Sequence, residues 1–284
     1  IDIDAFKEFF ELPSENELGQ ERAERIHKKL LRYKKTSTLQ AEQKRNETAK
    51  VRCVGLTIET KPDWGLLTHG NKMLEQGCTR VELGLQSVSD TVLAQVHRGH
   101  TVADSKESMR ILKDLGFKIN AHIMIGLPEQ DNEEIYEFFT DPDFRPDMLK
   151  IYPCLVMPGT QLEKEFKEGE FTPIETEEAV KSISEFKTKV PEYVRIMRVQ
   201  RDIPTKQTSA GVDRTNLRQM ITAYMKENNL ICNCIRCNEI KLEIKNPEMH
   251  VLEYEASKGK EFFISLQQGK EIIGFCRLRF PSQC

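Results

Sequence analysis

The chain has 284 residues, a net charge of −3 and 38% hydrophobic content. It is therefore no polycation that binds by bulk charge, and no apolar run approaches the length a bilayer demands. Nor is a secretory signal visible, and the composition suits one large domain or two smaller ones.

Residues 1–50 are polar with helical spacing. Phe6, Phe9, Phe10 and Leu12 line one face, and Ile26, Leu30 and Leu31 another. Residues 36–50 have little apolar content and read as a loop or a solvated helix. From Val51 the pattern turns to strand, turn, helix, repeated. Strands are expected at 51–60, 80–86, 118–126, 148–155 and 193–198. Helices are expected at 71–76, 89–97, 102–115, 133–139 and 177–189, with Gly77 and Gly116 as C-terminal stops and Ser89 as an N-cap. Such alternation predicts a parallel sheet with right-handed crossovers, too short for a closed eight-unit barrel. Polar residues gather at the strand C-termini, including Glu59, Thr60, Gln86 and Ser87. In parallel α/β folds this is the ligand edge.

Beyond Val190 the character changes. Residues 191–245 carry a net +4, leaving −7 for the rest. That is the pattern of a polyanion-binding face on an acidic body, or of an ordinary solvated linker. A helix is expected at 215–228. Two alternating stretches follow, 249–256 and 261–279, with a hairpin turn at Gln268-Gly269. The chain opens at Ile1 and ends at Cys284 just after a strand-like run, so both ends read as cuts through a larger protein.

Cys232, Cys234 and Cys237 form C-x-C-x-x-C between the expected helix and the first of these strands. Three thiolates this close can share one metal ion. Zinc is the default, with His250 as the nearest downstream histidine for a fourth position. The alternative is three reduced thiols in a loop. Usual iron–sulfur spacings are wider. The clustering of cysteines fits a reducing cytoplasm, and Cys53, Cys78, Cys154 and Cys276 are expected as buried small hydrophobes. No phosphate loop, H-E-x-x-H pair or G-x-S-x-G elbow is present. The residues alone give a site's edge without its reaction.

Several runs together resemble the catalytic subunit family of Elongator, the tRNA uridine-modifying radical-SAM/acetyltransferases. They are VGLTIETKPD (54–63), RVELGLQS (80–87), RGHTV (98–102), DFRPDMLKIYP (143–153), VRIMRVQRDIP (194–204) and SAGVDRTNLR (209–218). The cysteine run is similar to that of archaeal and bacterial members and points to an archaeal source. The resemblance implies an α/β fold: a partial (β/α) radical-SAM barrel, a zinc-binding linker, and the first antiparallel strands of a GNAT domain. The expected division is 1–190 for the C-terminal part of the barrel, 191–245 for the basic linker and 246–284 for the GNAT opening.

The implied activity is carboxymethylation at C5 of the tRNA wobble uridine. It uses a [4Fe–4S] cluster, S-adenosylmethionine, acetyl-CoA and zinc. The family's C-x₄₋₉-C-x₂-C cluster motif is absent and is expected upstream of Ile1; the main acetyl-CoA site is expected beyond Cys284. This chain alone is therefore expected to be inactive. Expected partners are tRNA, acetyl-CoA and S-adenosylmethionine, with a homodimer or, for a eukaryotic source, Elongator-like subunits, and no membrane. Glu59, Gln86 and His122 are the expected cofactor-facing residues. Arg195, Arg198 and Arg201 are the expected tRNA phosphate contacts, against the alternative of salt bridges to the acidic body. Arg98 and His100 carry the same two readings. Two rival functions stay open: a catalytically silent tRNA-binding scaffold, and another radical-SAM enzyme sharing only the barrel.

Overall fold

A computed structural model of the chain describes residues 2–12, 20–131, 133–200, 203, 207–241 and 243–283. It divides into two compact units, Ile1–Cys53 and Val54–Cys284.

The first unit holds helices α1 (Ile3–Phe10), α2 (Gln20–Leu31) and α3 (Leu39–Thr48). Asp2 caps α1 by accepting from the Asp4 and Ala5 amides, and Thr38 caps α3 through the Ala41 amide. The expected aromatic face forms: Phe10 packs on Phe6 and Phe9, and Phe9 on Tyr33. Glu11 then ties α1 to α2 through Lys29 (2.8 Å) and Arg25 (3.0 Å).

The second unit begins with β1 (Thr57–Thr60), α4 (Leu67–Glu75), β2 (Arg80–Gln86), α5 (Asp90–Gln95), α6 (Val102–Asp114) and β3 (Lys118–Ile125). It continues with α7 (Glu137–Thr140), β4 (Met148–Pro153), α8 (Gln161–Glu168), α9 (Thr176–Lys189), β5 (Arg195–Arg198) and α10 (Leu217–Glu227). The five strands form one parallel sheet in the order β1-β2-β3-β4-β5. β1 is shorter than the expected 51–60. Its partner β2 starts at Arg80, opposite Thr57, so the ladder begins there; Val51 and Val54 are exposed. Helix α8 was not anticipated. Thr160 caps it and Gly169, at φ 80°, stops it.

One sheet face is apolar. Val81, Leu83, Leu85, Ile119, Ala121, Ile123, Leu149 and Ile151 are fully buried with the α6 and α9 side chains Met109, Leu112, Ile183 and Phe186. The opposite parity carries Glu59, Glu82, Gln86, Asn120, His122, Lys150 and Tyr152. A strand alternates faces at every residue, so one sheet presents a greasy back and a polar front. At the C-terminal edge Gly126 (φ 72°) ends β3. A Cβ there would lie 2.6 Å from Ile174, so the turn takes only glycine. Ser89 does occupy the N-cap of α5, but its side chain makes no cap; its amide donates to Ser87 instead (3.1 Å).

Strands β6 (Glu248–Ala256), β7 (Gly259–Gln268) and β8 (Glu271–Phe280) form a separate antiparallel sheet. Ser257 and Lys258, both at positive φ, make the two-residue β6–β7 turn, and Gly269 (φ 61°) turns β7 into β8. The Ser257 amide donates to Pro142 O (2.6 Å) and its hydroxyl to Phe144 O (2.9 Å), docking the hairpin tip on the connection into β4.

A buried ion network joins this sheet to the parallel one. Lys113 pairs with Glu261 (2.7 Å) and Asp147 (3.7 Å). Arg279 meets Asp114 (2.6 Å) and Glu261 (3.0 Å), and Arg277 meets Asp147 (3.5 Å). Tyr193 stacks on Tyr254 at 4.0 Å. Burial pushes the Asp147 carboxyl up. The Lys113 and Arg277 charges and the Ile119 amide outweigh it and hold the group below its ordinary range.

Two of the four cysteines expected to be buried are not. Cys78 and Cys154 are buried, whereas Cys53 and Cys276 are exposed. Cys53 precedes the first strand, and Cys276 lies on the face of β8 opposite Arg277 and Arg279, which turn into the ion network. Among the described residues, no helix is long and apolar enough to cross a membrane.

Candidate active site

The polar front of the parallel sheet converges on Glu82. Its carboxylate accepts from His122 Nε2 at 2.7 Å and from the Lys150 ammonium. Lys150 also donates to Glu59 at 3.0 Å. The register explains the set: Glu82 and His122 sit two positions apart on neighbouring strands, and His122 stands directly opposite Lys150. Glu82 is 3% exposed, whereas the Glu59 side chain is 63% exposed. Burial acts to raise the Glu82 pKa, but the His122 and Lys150 hydrogen bonds overcome it and hold the carboxyl well below its usual range. Burial likewise opposes the Lys150 charge, and Glu82 and Glu59 overcome it, so the ammonium is held above its usual value. The result is a fixed positive charge on the sheet's front, steadied by a buried anion. It cannot act as a base near neutral pH.

Toward the C-terminal edge the walls become less charged. Tyr152 meets His122 edge-on with ring centroids 5.7 Å apart. Gln86 is buried and adopts φ 70°, at an irregularity of the β2–β3 ladder between Gly84 and Gln86. A non-glycine residue in that conformation is strained, and such strain concentrates at ligand sites. Gln86, Arg98 and Met124 line two adjoining pockets of about 230 and 350 Å³. Tyr152 and Met157 complete the first, and Leu127, Cys154 and Leu162 belong to the second. Arg98 donates to Gly84 O (3.1 Å) and so braces the end of β2. His100 is buried behind it, with its pKa lowered by burial and by the Arg98 charge.

Of the residues expected to face a cofactor, Glu59, Gln86 and His122 all lie on this front or its edge. Glu59 and His122 meet through Glu82 and Lys150, while Gln86 stands at the pockets. Glu82 and Lys150 were not anticipated. The signal for them was a charged residue in the middle of strands that otherwise read as continuous apolar runs. Of the three arginines, Arg195 is engaged by Glu239, and Arg198 is exposed at the end of β5. Arg201 lies outside the described residues.

The cysteines form a second centre. The sulfurs of Cys232, Cys234 and Cys237 lie within 4.8 Å of one another, a donor set fitted to a soft or borderline divalent ion. Cys232 and Cys234 are buried, and Cys237 is half-buried. Asn238 donates to the carbonyls of Cys232 and Cys234 (both 3.1 Å), and the Ile235 amide donates to Val194 O (2.9 Å) beside β5. Hydrogen bonds from Cys232 and Cys234 pull the Cys237 thiol down; in return Cys232 is pushed up. His250 is no part of this group. It lies half-exposed on β6, near Glu248.

The sequence matches the Radical SAM superfamily over residues 17–141 and the Radical_SAM C-terminal domain over 146–227. It is 44% identical over 263 residues to a tRNA uridine(34) acetyltransferase of Methanocaldococcus infernus, across 87% of this chain and 49% of that protein. It is 39% identical to the human Elongator complex protein 3, across 84% of this chain and 46% of that protein. Among solved structures, the archaeal Methanocaldococcus infernus Elp3 with an N-terminal deletion superposes with a TM-score of 0.84 at 42% identity. That match covers 88% of this chain and 62% of the other. The chain thus spans about half the length of the curated relatives it matches.

Proposed function

Because this chain belongs to the radical SAM superfamily, in its Elongator catalytic-subunit family, we propose that it is part of a tRNA wobble-uridine C5 carboxymethylating enzyme. The observation that carries this reading is the Glu82–His122–Lys150 set on the front of the parallel sheet, beside two pockets at the strand C-termini. When bound, the [4Fe–4S] cluster with S-adenosylmethionine supplies radical chemistry, and acetyl-CoA supplies the two-carbon unit. The cysteines of this chain do not have the spacing of the cluster motif, so no step is assigned to the cluster here.

In this reading Gln86 and Glu59 hold polar groups of S-adenosylmethionine at the sheet edge, and Met124, Leu155 and Tyr152 shield them from water. Lys150 presents a fixed ammonium toward an anionic group of substrate or cofactor, and exposed Glu59 occupies that ammonium until the anion arrives. Glu82 keeps Lys150 and His122 oriented. Residues 1–190 form the C-terminal part of the barrel, 191–245 the basic linker whose first residues lend β5 to the sheet, and 246–284 the opening of the GNAT domain. The protein works in the cytoplasm, where its tRNA substrate is found.

The test uses the full-length protein, purified without oxygen and with its cluster reconstituted. 5′-deoxyadenosine is quantified with tRNA and acetyl-CoA present or absent. Cluster-dependent formation stimulated by tRNA supports the reading; none, with a verified cluster, favours a tRNA-binding scaffold.

Arg198 is assigned to a tRNA phosphate. Arg198→Ala should weaken tRNA binding and reduce the slope of log affinity against log salt by about one. An unchanged slope in filter binding at several salt concentrations removes Arg198 from the interface.

Cys232, Cys234 and Cys237 are assigned to zinc. Cys234→Ser replaces a fully buried soft donor by a hard one, and the zinc content by elemental analysis should fall from stoichiometric to trace. Retained zinc would show that the ion sits elsewhere.

A further inference from the structure

Helix α9 ends with a lysine in an unusual place. Lys187 is 4% exposed, while Lys189, two residues on, is exposed. Its ammonium donates to Cys237 Sγ at 3.7 Å. Among the described residues no carboxylate lies within ion-pairing distance of it. Burying an ammonium without a counter-charge is costly, and the partner the structure gives it is the sulfur cluster. A second cation approaches from α10. Arg218 is half-buried, its Nη2 has no hydrogen-bond partner among the described residues, and its charge couples to all three cysteines.

The arithmetic of charge makes sense of this. A divalent ion held by three thiolates leaves one net negative charge, and any neutral fourth ligand leaves it unchanged. Such a centre in a buried place needs one compensating cation nearby, and Lys187 is the cation in hydrogen-bond contact with a ligand atom.

We propose that Lys187 is the positioning residue of the three-cysteine metal centre: it compensates the charge of the metal–thiolate group, fixes Cys237 as a ligand, and anchors the cysteine loop to helix α9. The inference rests on reading Cys232, Cys234 and Cys237 as a metal site. On binding, any thiol that still carries a proton releases it to solvent, and the sulfur lone pair goes to the metal. The lysine takes no part in that transfer; it gives one N–H to the Cys237 sulfur. Hydrogen-bond partners behind metal ligands are typically worth 10–100-fold in affinity.

The experiment uses the full-length protein stripped of metal without oxygen. Cobalt(II) is titrated in, and the sulfur-to-cobalt charge-transfer absorption counts the thiolate ligands. Zinc affinity follows from competition with a chelator, and melting temperatures are taken with and without zinc. For Lys187→Met we expect zinc affinity about 10–100-fold weaker. The zinc-induced rise in melting temperature should be correspondingly smaller, because that rise tracks the ratio of free metal to its Kd. Lys189→Met, which removes the same charge from an exposed position of the same helix, should match the parent. A purely structural lysine would lower both melting temperatures together and leave affinity and the zinc-induced rise unmoved; that result overturns the proposal. Should Lys187→Met not fold, Lys187→Gln, which keeps a donor and loses the charge, makes the same comparison, and parental affinity in it refutes charge compensation. A parent that gives no three-thiolate cobalt spectrum overturns the metal site itself, and with it this inference.

Discussion

Lys113→Met should destabilise the protein by about 3–5 kcal/mol, the usual cost of removing one partner from a buried ionic network. Lys113 is 3% exposed and lies between Glu261 and Asp147, each 5% or less exposed. The substitution keeps an unbranched apolar stem and removes the ammonium with its hydrogen bond, so Asp147 keeps Arg277 and Glu261 keeps Arg279 as the cation paired with it. In a double-mutant cycle with Glu261→Gln, the two changes should fall short of additivity by about 1–3 kcal/mol. Urea unfolding monitored at the single tryptophan and by circular dichroism checks both; additive losses would mean that the contact contributes nothing of its own.

The same network sets an acid limit. Asp114 and Asp147 both have folded pKa values below those of the unfolded chain. Around the ordinary aspartate pKa the unfolded state therefore binds more protons than the native one. The stabilisation is fully present above that range and drains away as pH falls through the lower folded values. Detachment of the antiparallel sheet should thus begin only in acid, below about pH 4.

Glu82→Gln should reduce tRNA-dependent turnover by about 100-fold or more, with the parental fold retained in circular dichroism. Glutamine keeps the shape of the side chain but removes the charge that orients both Lys150 and His122. A displacement of about 1 Å at reacting groups is enough for a loss of this size. The readout that separates positioning from mere structure is the pairing of this loss with unchanged tRNA affinity. If turnover stays near the parental value, the buried triad is scaffolding and Lys150 is not the anion's anchor. Because Glu82 is held below its ordinary range, its carboxylate should stay ionised on lowering pH to 5.

Much of this architecture was legible before any coordinates. The β-strands at 80–86, 118–125 and 148–153, the stops at Gly77 and Gly116 and the hairpin at Gly269 follow from local rules: alternation, left-handed glycines and turn length. The polar C-terminal edge also followed, and the place of Gln86 at it. What local rules missed has a common cause. Glu82 and Lys150 were not singled out, because their meaning depends on strands 40 to 68 positions apart in sequence coming into register. Strand β1 was overestimated because its length is set by where β2 begins. The four lone cysteines were treated alike, although Cys276 faces outward by the parity of a strand whose inner face is fixed by packing alone. No sequence pattern announces the ion network between the sheets.

That network also imposes an order on folding. Every strand of the parallel sheet pairs with the strand next to it in sequence, so its pairings are local and the sheet can be completed piece by piece. Lys113 and Asp114, by contrast, wait for Glu261 and Arg279, which lie 148 and 165 residues further along. On a ribosome the barrel strands are finished before the β7–β8 hairpin leaves the exit tunnel. Until then Lys113, Asp114 and Asp147 stand solvated at the base of the sheet, an unclosed lock whose key is made long after them.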